Sequence, residues 1–302
     1  MAWYQLHCNC HAEQIPELEA LHQQLGALAI TLRDQVDDAI FEPEVGTTPV
    51  WEHTKLTALY PANQAPEDIM DQLIATAPDN LVLEYQIEWL DDKPWEREWL
   101  KHFKPIQIAP ELLILPSHES TTKNQATESN QTQAAVMRLD PGLAFGTGTH
   151  ATTQLCLKWL CRIMNGNTEP LTVLDYGCGS GILAIGAALL GATQISAIDI
   201  DPQALLATQA NAEKNQVTNQ ITVNNGDVLD SQYDIIVANI LAAPLCHLAP
   251  KLMQHLVPDG QIALSGLLES QIDDVIEAYS PYCRLEVAEI QDEWVLLTRQ
   301  KR

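Results

Sequence analysis

The stretch Val173-Leu174-Asp175-Tyr176-Gly177-Cys178-Gly179-Ser180-Gly181 holds the residues whose types and spacing point most directly to chemistry. An apolar run ends in an acid, and alternating glycines then lead into Ile182-Leu183-Ala184-Ile185. Glycine is needed where the backbone turns sharply and a ligand must come close. A helix starting there offers unpaired N–H groups to that ligand. Dinucleotide loops space their glycines G-x-G-x-x-G around a pyrophosphate; here the spacing is G-x-G-x-G, and Asp175 would repel such an anion. A strand-end carboxylate suits a cation instead. S-adenosylmethionine, with its sulfonium and α-ammonium, fits that requirement, with Asp175 meeting it directly or through water. A second apolar run, Gln194 to Ile198, ends at Asp199, the place, about 20 residues on, for an acid that binds both ribose hydroxyls. Asp201 and Pro202 read as the N-cap and first residue of the following helix. The alternative for Asp175 and Asp199 is an ordinary polar strand end.

Two further segments complete the candidate site. Asp140 to Thr153 packs three glycines and several hydroxyl and imidazole groups into a loop that enters a helix at Gln154. Thr152 and Thr153 fall in its first turn, where hydroxyls reach a ligand carboxylate or simply cap the helix. The run Tyr233 to Ala238 delivers Asn239 to the carboxyl edge of a sheet, where α/β folds bind ligands. An asparagine there accepts a hydrogen bond from an amine and aims its lone pair at a methyl group. Enzymes that methylate adenine or amide nitrogen carry Asn/Asp-Pro-Pro-aromatic at this point; Ile240-Leu241 departs from that, which argues against a flipped base or a glutamine side chain as substrate.

The elements that must position these residues follow from the pattern. Residues 1 to 92 alternate as strand, helix, strand, strand, helix, strand: Trp3–Cys8, Ile15–Leu25, Ala27–Leu32, Lys55–Tyr60, Pro66–Ala75 and Val82–Trp89. That order is ferredoxin-like and says nothing of chemistry by itself; an appended sandwich of this kind is expected to bind a substrate or partner. Residues 93 to 139 form a middle segment. It opens on a short helix with Trp95 and Trp99 at i, i+4, continues through two extended pieces at Ile106–Ile108 and Leu112–Leu115, and carries a Ser/Thr/Asn/Gln-rich stretch from Ser117 to Gln133 expected to be a mobile loop. From 140 to 302, strands alternate with helices, the sign of a parallel sheet wrapped on both faces. The section closes on two strands, Arg284–Ile290 and Trp294–Thr298, joined by Gln291-Asp292-Glu293.

The net charge of -24 disfavours phosphate contacts and favours encounter with a basic macromolecule; solubility alone is the plainer reading. The 7 cysteines follow no disulfide or zinc spacing. Cys8 and Cys10, on one strand face, read as buried thiols, and no metal site is expected. No apolar run is long enough to span a membrane and no secretory leader is visible, so a cytoplasmic place is expected.

Taken together, Asp140–Thr153, Asp175–Gly181, Ile198–Pro202 and Asn239–Ala242 resemble the PrmA family, bacterial methyltransferases of the large-subunit ribosomal protein numbered eleven. The Phe145-Gly146-Thr147-Gly148-Thr149-His150 segment is specific to that family, whereas the Gly177 loop is common to many methyltransferases. The likeness extends to the N-terminal sandwich, the Trp95–Trp99 segment and Glu293-Trp294, and so covers nearly the whole chain. Ala151 stands where proline is usual, and the 117–133 loop looks long. The resemblance implies an α/β chain: a seven-stranded Rossmann-like domain that uses S-adenosylmethionine, preceded by an α+β ferredoxin-like domain that docks the substrate. It implies methylation of the α-amine and lysine ε-amines of a basic ribosomal protein; a monomer without direct nucleic-acid or membrane contacts is expected. The family's donor contacts map onto Thr153, Gly177, Asp199 and Asn239, joined by Gly179 from the loop.

An amine attacks only when unprotonated. Near pH 7 a lysine with pKa about 10.4 gives up roughly 4.6 kcal/mol to lose its proton, and an α-amine near 8 only about 1.4. Asn239 and His150 are the residues expected to act in catalysis, with His150 either taking a proton or ordering the loop. The competing readings are a methyltransferase of another protein or small amine, a non-catalytic S-adenosylmethionine-binding scaffold, and an NAD-dependent dehydrogenase, which the glycine spacing and terminal hairpin disfavour.

Overall fold

The computed structural model describes residues 3–36, 49–76, 85–90, 104–116, 134–139, 148–226, 229 and 231–300. The expected Trp95–Trp99 helix, the 117–133 loop and residues 140–147 lie outside these. The chain divides into two compact units, Met1–Glu98 and Trp99–Arg302.

In the first unit, β1 (Trp3–His11), α1 (Ile15–Gln24), β2 (Ala29–Asp34), β3 (His53–Pro61), α2 (Pro66–Thr76) and β4 (Gln86–Leu90) follow in that order. The strands form one antiparallel sheet ordered β2-β3-β1-β4. Period-two alternation along β1 buries Tyr4, Leu6, Cys8 and Cys10. These meet Leu56 and Tyr60 of β3, Leu18 of α1 and Leu73 of α2 in a single apolar cluster. His22 and Tyr60 are fully buried there, joined by a 2.8 Å hydrogen bond between His22 Nδ1 and the Tyr60 hydroxyl.

The second unit opens on β5 (Ile106–Ala109), β6 (Leu112–Leu115) and β7 (Ala135–Arg138), a small sheet in which β6 pairs antiparallel with β5 and parallel with β7. The two extended pieces anticipated in the middle segment are therefore part of a sheet, with a third strand, β7, that the sequence pattern does not announce. There follow α3 (Ala151–Met164), β8 (Thr172–Tyr176), α4 (Ile182–Leu189), β9 (Gln194–Ile198), α5 (Pro202–Lys214), β10 (Ile221–Asn224), β11 (Tyr233–Asn239), α6 (Ala242–Gln254), β12 (Leu256–Leu268), α7 (Ile272–Tyr279), β13 (Leu285–Gln291) and β14 (Trp294–Arg299).

The main sheet has the order β10-β9-β8-β11-β12-β14-β13. Its first five strands are parallel, and β14 runs antiparallel to both neighbours. Both faces are buried, as a parallel sheet requires. Val173, Ile195 and Val237 enter one apolar layer with α3, α4 and the small sheet. Leu174, Ile236, Ala238 and Leu264 enter the other with α6 and α7. β12 starts at Leu256, earlier than the apolar run at Gln261 announces. The closing hairpin turns on Asp292 and Glu293 alone, at φ 51° and 66°, with Gln291 pairing directly with Trp294. Two consecutive left-handed residues are the turn that suits the twist of a two-residue hairpin.

From β8 the chain proceeds one way to β9 and β10, and later the other way to β11 and β12. The strand order thus reverses between β8 and β11, which opens a crevice at their carboxyl ends. Gly177 follows β8 and Asn239 ends β11.

Candidate active site at the carboxyl edge of the sheet

Asp199 stands just past β9 with both carboxylate oxygens engaged: Oδ2 accepts from Gly179 N at 2.9 Å and Oδ1 from Asp201 N at 3.0 Å. Each oxygen keeps a further lone pair, so the group is held rigidly while still able to accept from a ligand. Asp201 caps α5 through Gln203 N at 2.9 Å, with Pro202 in the first turn. The side chain after Asp199, Ile200, is 89% exposed, an uncovered apolar surface at the rim.

The glycine loop is tied to its surroundings by backbone and side chain. Gly177 N and Cys178 N both donate to Ile198 O, at 2.8 and 2.9 Å. Gly177 lies at φ +80°, and a Cβ there would overlap Ile240 Cγ2, so only glycine fits. The Thr208 hydroxyl, buried on α5, donates to Gly179 O at 3.0 Å, and Asn211 Nδ2 to Ser180 O at 2.9 Å. Lys251 of α6 donates to Gly226 O at 2.9 Å and to the Tyr176 hydroxyl at 3.4 Å, holding the segment after β10 to the end of β8. None of Thr208, Asn211 and Lys251 stands out in the sequence. A hydroxyl and an amide spaced i, i+3 on one helix face are the only signal.

Asp175 is 1% exposed. Its Oδ2 accepts from Ala184 N, in the first turn of α4, at 2.9 Å, so the strand-end acid caps the helix that follows the loop. Its buried Oδ1 has no hydrogen-bond partner among the described residues. Burial pushes the carboxyl up to about 7; the Ala184 N–H works against that rise, and nearby Asp199 adds to it.

Asn239 and Thr153 meet across the crevice. Thr153 is fully buried in the first turn of α3, and its hydroxyl accepts from Asn239 Nδ2 at 3.4 Å. That contact engages one N–H of the amide and orients Asn239 Oδ1 as the acceptor at the strand tip. His150 is the N-cap of α3: Nδ1 accepts from Thr152 N at 3.4 Å and lies 2.8 Å from the Thr152 hydroxyl. A ring nitrogen that accepts an N–H is unprotonated, so the neutral ring carries its proton on Nε2. The imidazole packs edge-on against Trp294 of β14, centroids 4.9 Å apart, and burial holds its pKa below the ordinary value.

The six residues singled out from sequence thus fall into two sets. Gly177, Gly179 and Asp199 form one hydrogen-bonded group around β8 and β9, and Asn239, Thr153 and His150 line the α3 side of the same edge. Among the described residues no group of three or more His, Cys, Asp or Glu is arranged to hold a metal. A separate cleft of about 360 Å³ lies between the β5–β6 turn, α3 and β13; the charges lining it include Lys158, Arg162 and Glu289, already mutually paired, and none of the six residues borders it. No helix among the described residues is long and apolar enough to cross a membrane.

Comparison with known proteins bears on this geometry. The family model described as ribosomal protein L11 methyltransferase (PrmA) matches residues 2–302. The ribosomal protein L11 methyltransferase of Teredinibacter turnerae is 44% identical over 306 residues, covering 100% of this chain and 98% of that protein. That of Shewanella woodyi is 43% identical over 300 residues, 99% of each. A crystal structure of a ribosomal protein L11 methylase from Lactobacillus delbrueckii subsp. bulgaricus superposes with a TM-score of 0.57 at 34% identity, covering 66% of this chain and 100% of that one.

Proposed function

The chain belongs to the ribosomal protein L11 methyltransferase family, and from that premise we propose that it transfers methyl groups from S-adenosylmethionine to the α-amine and lysine ε-amines of ribosomal protein L11. The residues at the sheet edge fit such a donor. Asp175 keeps one buried oxygen without a partner among the described residues, Gly177 leaves no room for a side chain of its own, and each Asp199 oxygen retains a lone pair. When bound, the donor supplies a methyl group activated by sulfonium charge.

The chain's own residues then have distinct tasks. Asp199 would hold the ribose hydroxyls, the Gly177–Gly179 backbone would line the donor, and Thr153 would stand beside it. The observation that carries the reading is the Asn239–Thr153 contact, because it turns Asn239 Oδ1 into a fixed acceptor for an amine N–H at the strand tip. With the proton of the attacking amine lost beforehand, catalysis rests on alignment and exclusion of water. We assign His150 a positioning role: a proton taken at Nδ1 would break the cap that starts α3.

The main sheet is read as a seven-stranded Rossmann-like methyltransferase domain, and the first unit as a ferredoxin-like module, from its β2-β3-β1-β4 order, that docks the substrate. The net charge of -24 favours a basic protein over nucleic acid as partner. We take the enzyme to be a cytoplasmic monomer. Mass spectrometry of L11 from cells with and without the gene tests the substrate: L11 is expected to lose its added methyl mass when the gene is deleted, and an unchanged mass overturns the assignment.

A further inference from the structure

Ile240, next to Asn239, is gripped from two sides. On the β8 side, a Cβ on Gly177 would overlap Ile240 Cγ2 while remaining 3.7 Å from Ile240 Cβ. On the β12 side, a Cβ on Gly266 would overlap the Ile240 carbonyl oxygen and come within 2.8 Å of its carbonyl carbon and 2.9 Å of its nitrogen. Gly266 adopts φ +89° where the pairing of β12 with β14 shifts register between Leu264 and Leu267. A bulge at this point is a device for re-aiming the backbone. The same peptide is fixed further by Ile240 N donating to Ser265 O at 3.1 Å, and Ser265 is anchored in turn through its hydroxyl to Val295 O at 2.8 Å.

These contacts form a row across the sheet edge: Ile198 carbonyl, Gly177, Ile240, Gly266. The Gly177 end belongs to the loop assigned to the donor, and Asn239 belongs to the acceptor. We propose that Ile240, wedged between Gly177 and Gly266, sets the spacing between the donor loop and Asn239, which makes Gly266 and Ile240 positioning residues for methyl transfer. The inference rests on the reading of Asn239 as the residue that meets the amine. The two grips differ in kind, and the difference makes them separable. Gly177 abuts a side chain that can be shortened, whereas Gly266 abuts a main chain that cannot.

The test is steady-state methylation of L11 combined with calorimetric titration of adenosylhomocysteine, on the full chain. Gly266→Ala is expected to lower kcat about 10- to 100-fold, the range for a misplacement near 1 Å, with product affinity changed less than about threefold. Ile240→Ala, which needs no backbone shift, is expected to lower kcat in the same selective way and serves if Gly266→Ala does not fold. Gly177→Ala is expected to damage both quantities, and Ile240→Ala added to it to restore part of kcat, whereas Ile240→Ala added to Gly266→Ala restores none. Normal kcat in Ile240→Ala, or parallel losses of kcat and product affinity in that variant, overturns the proposal. Asn239→Ala separates the two levels. If it retains kcat, the reading of Asn239 fails; if it loses kcat while Ile240→Ala and Gly266→Ala do not, only the wedge fails.

Discussion

The Gly179 amide donates to the Asp199 carboxylate at 2.9 Å, so the acid expected to bind a ribose is the same group that shapes the glycine loop. Removing it should cost the loop anchor and the ligand bonds together. Charge-assisted hydrogen bonds are worth about 1.5–3 kcal/mol each. Asp199→Ala is therefore expected to weaken adenosylhomocysteine binding by about 100-fold in a calorimetric titration. A change below about fivefold would show that the sugar is held elsewhere.

Asp175 is expected to set donor binding against stability. Its folded-state pKa, about 7, lies above the ordinary carboxylate value, so the folded chain binds this proton more tightly than the unfolded one. The contribution is present at acidic pH and lost as pH rises through about 7. Asp175→Asn keeps an acceptor for Ala184 N and removes the buried charge. At pH 8 its thermal midpoint is expected to rise by about 2–4 °C, with adenosylhomocysteine affinity falling about tenfold. A lower midpoint at pH 8 would contradict the account.

For His150 the expected signature is structural. His150→Ala should destabilise the chain by about 1 kcal/mol, the usual cost of a lost N-cap, and His150→Asn should recover most of it. Burial lowers the pKa of this ring, so the cap is complete above the ordinary value near 6.5 and is lost as pH falls through the lowered one. Methylation by His150→Asn is expected to stay within about threefold of the parent chain; a loss of two orders of magnitude with unchanged stability would restore a proton-transfer role.

In the first unit, burial lowers the pKa of His22 to about 4. Between about 6.5 and 4 the unfolded chain takes up a proton that the folded one refuses. The unit should therefore lose up to about 3 kcal/mol as pH falls across that window. Amide exchange at Leu6 and Tyr60, followed at pH 7 and pH 4.5, reads this directly. In His22→Asn the extra loss on acidification should vanish, which separates it from the relief of charge repulsion in so acidic a chain. Equal pH dependence in both chains would exclude His22 as its source.

What could be read from the chain in advance was whatever depends on neighbours in sequence. The acid at the end of β9, the Asp201-Pro202 helix start, the alternation in β1 and the placement of Thr152 and Thr153 in a first helical turn all rest on spacings of a few residues. What could not be read depends on register between distant strands. Asp175 looked like a counter-charge for a ligand, yet one of its oxygens caps α4, because the loop folds back over the strand end. Thr208 and Asn211 look like ordinary helix polar residues until α5 is laid under the glycine loop. Gly266 looks like a weak point in a strand until Ile240 is brought against it. β7 pairs in parallel with β6, from which it is separated in sequence, so no hairpin turn ties the two together and no local pattern announces it.

The insertion of β14 between β12 and β13 has a consequence for faulty gene products. A nonsense mutation after the end of β12 but before codon 294 would leave Ala263, Leu264 and Leu267 on a bare sheet margin, and the imidazole of His150 and the hydroxyl of Ser265 would lose Trp294 and Val295. Such a margin invites pairing with other chains. Prematurely stopped polypeptides should therefore be caught by chaperones and proteases, and should not accumulate as soluble competitors for the ribosomal substrate.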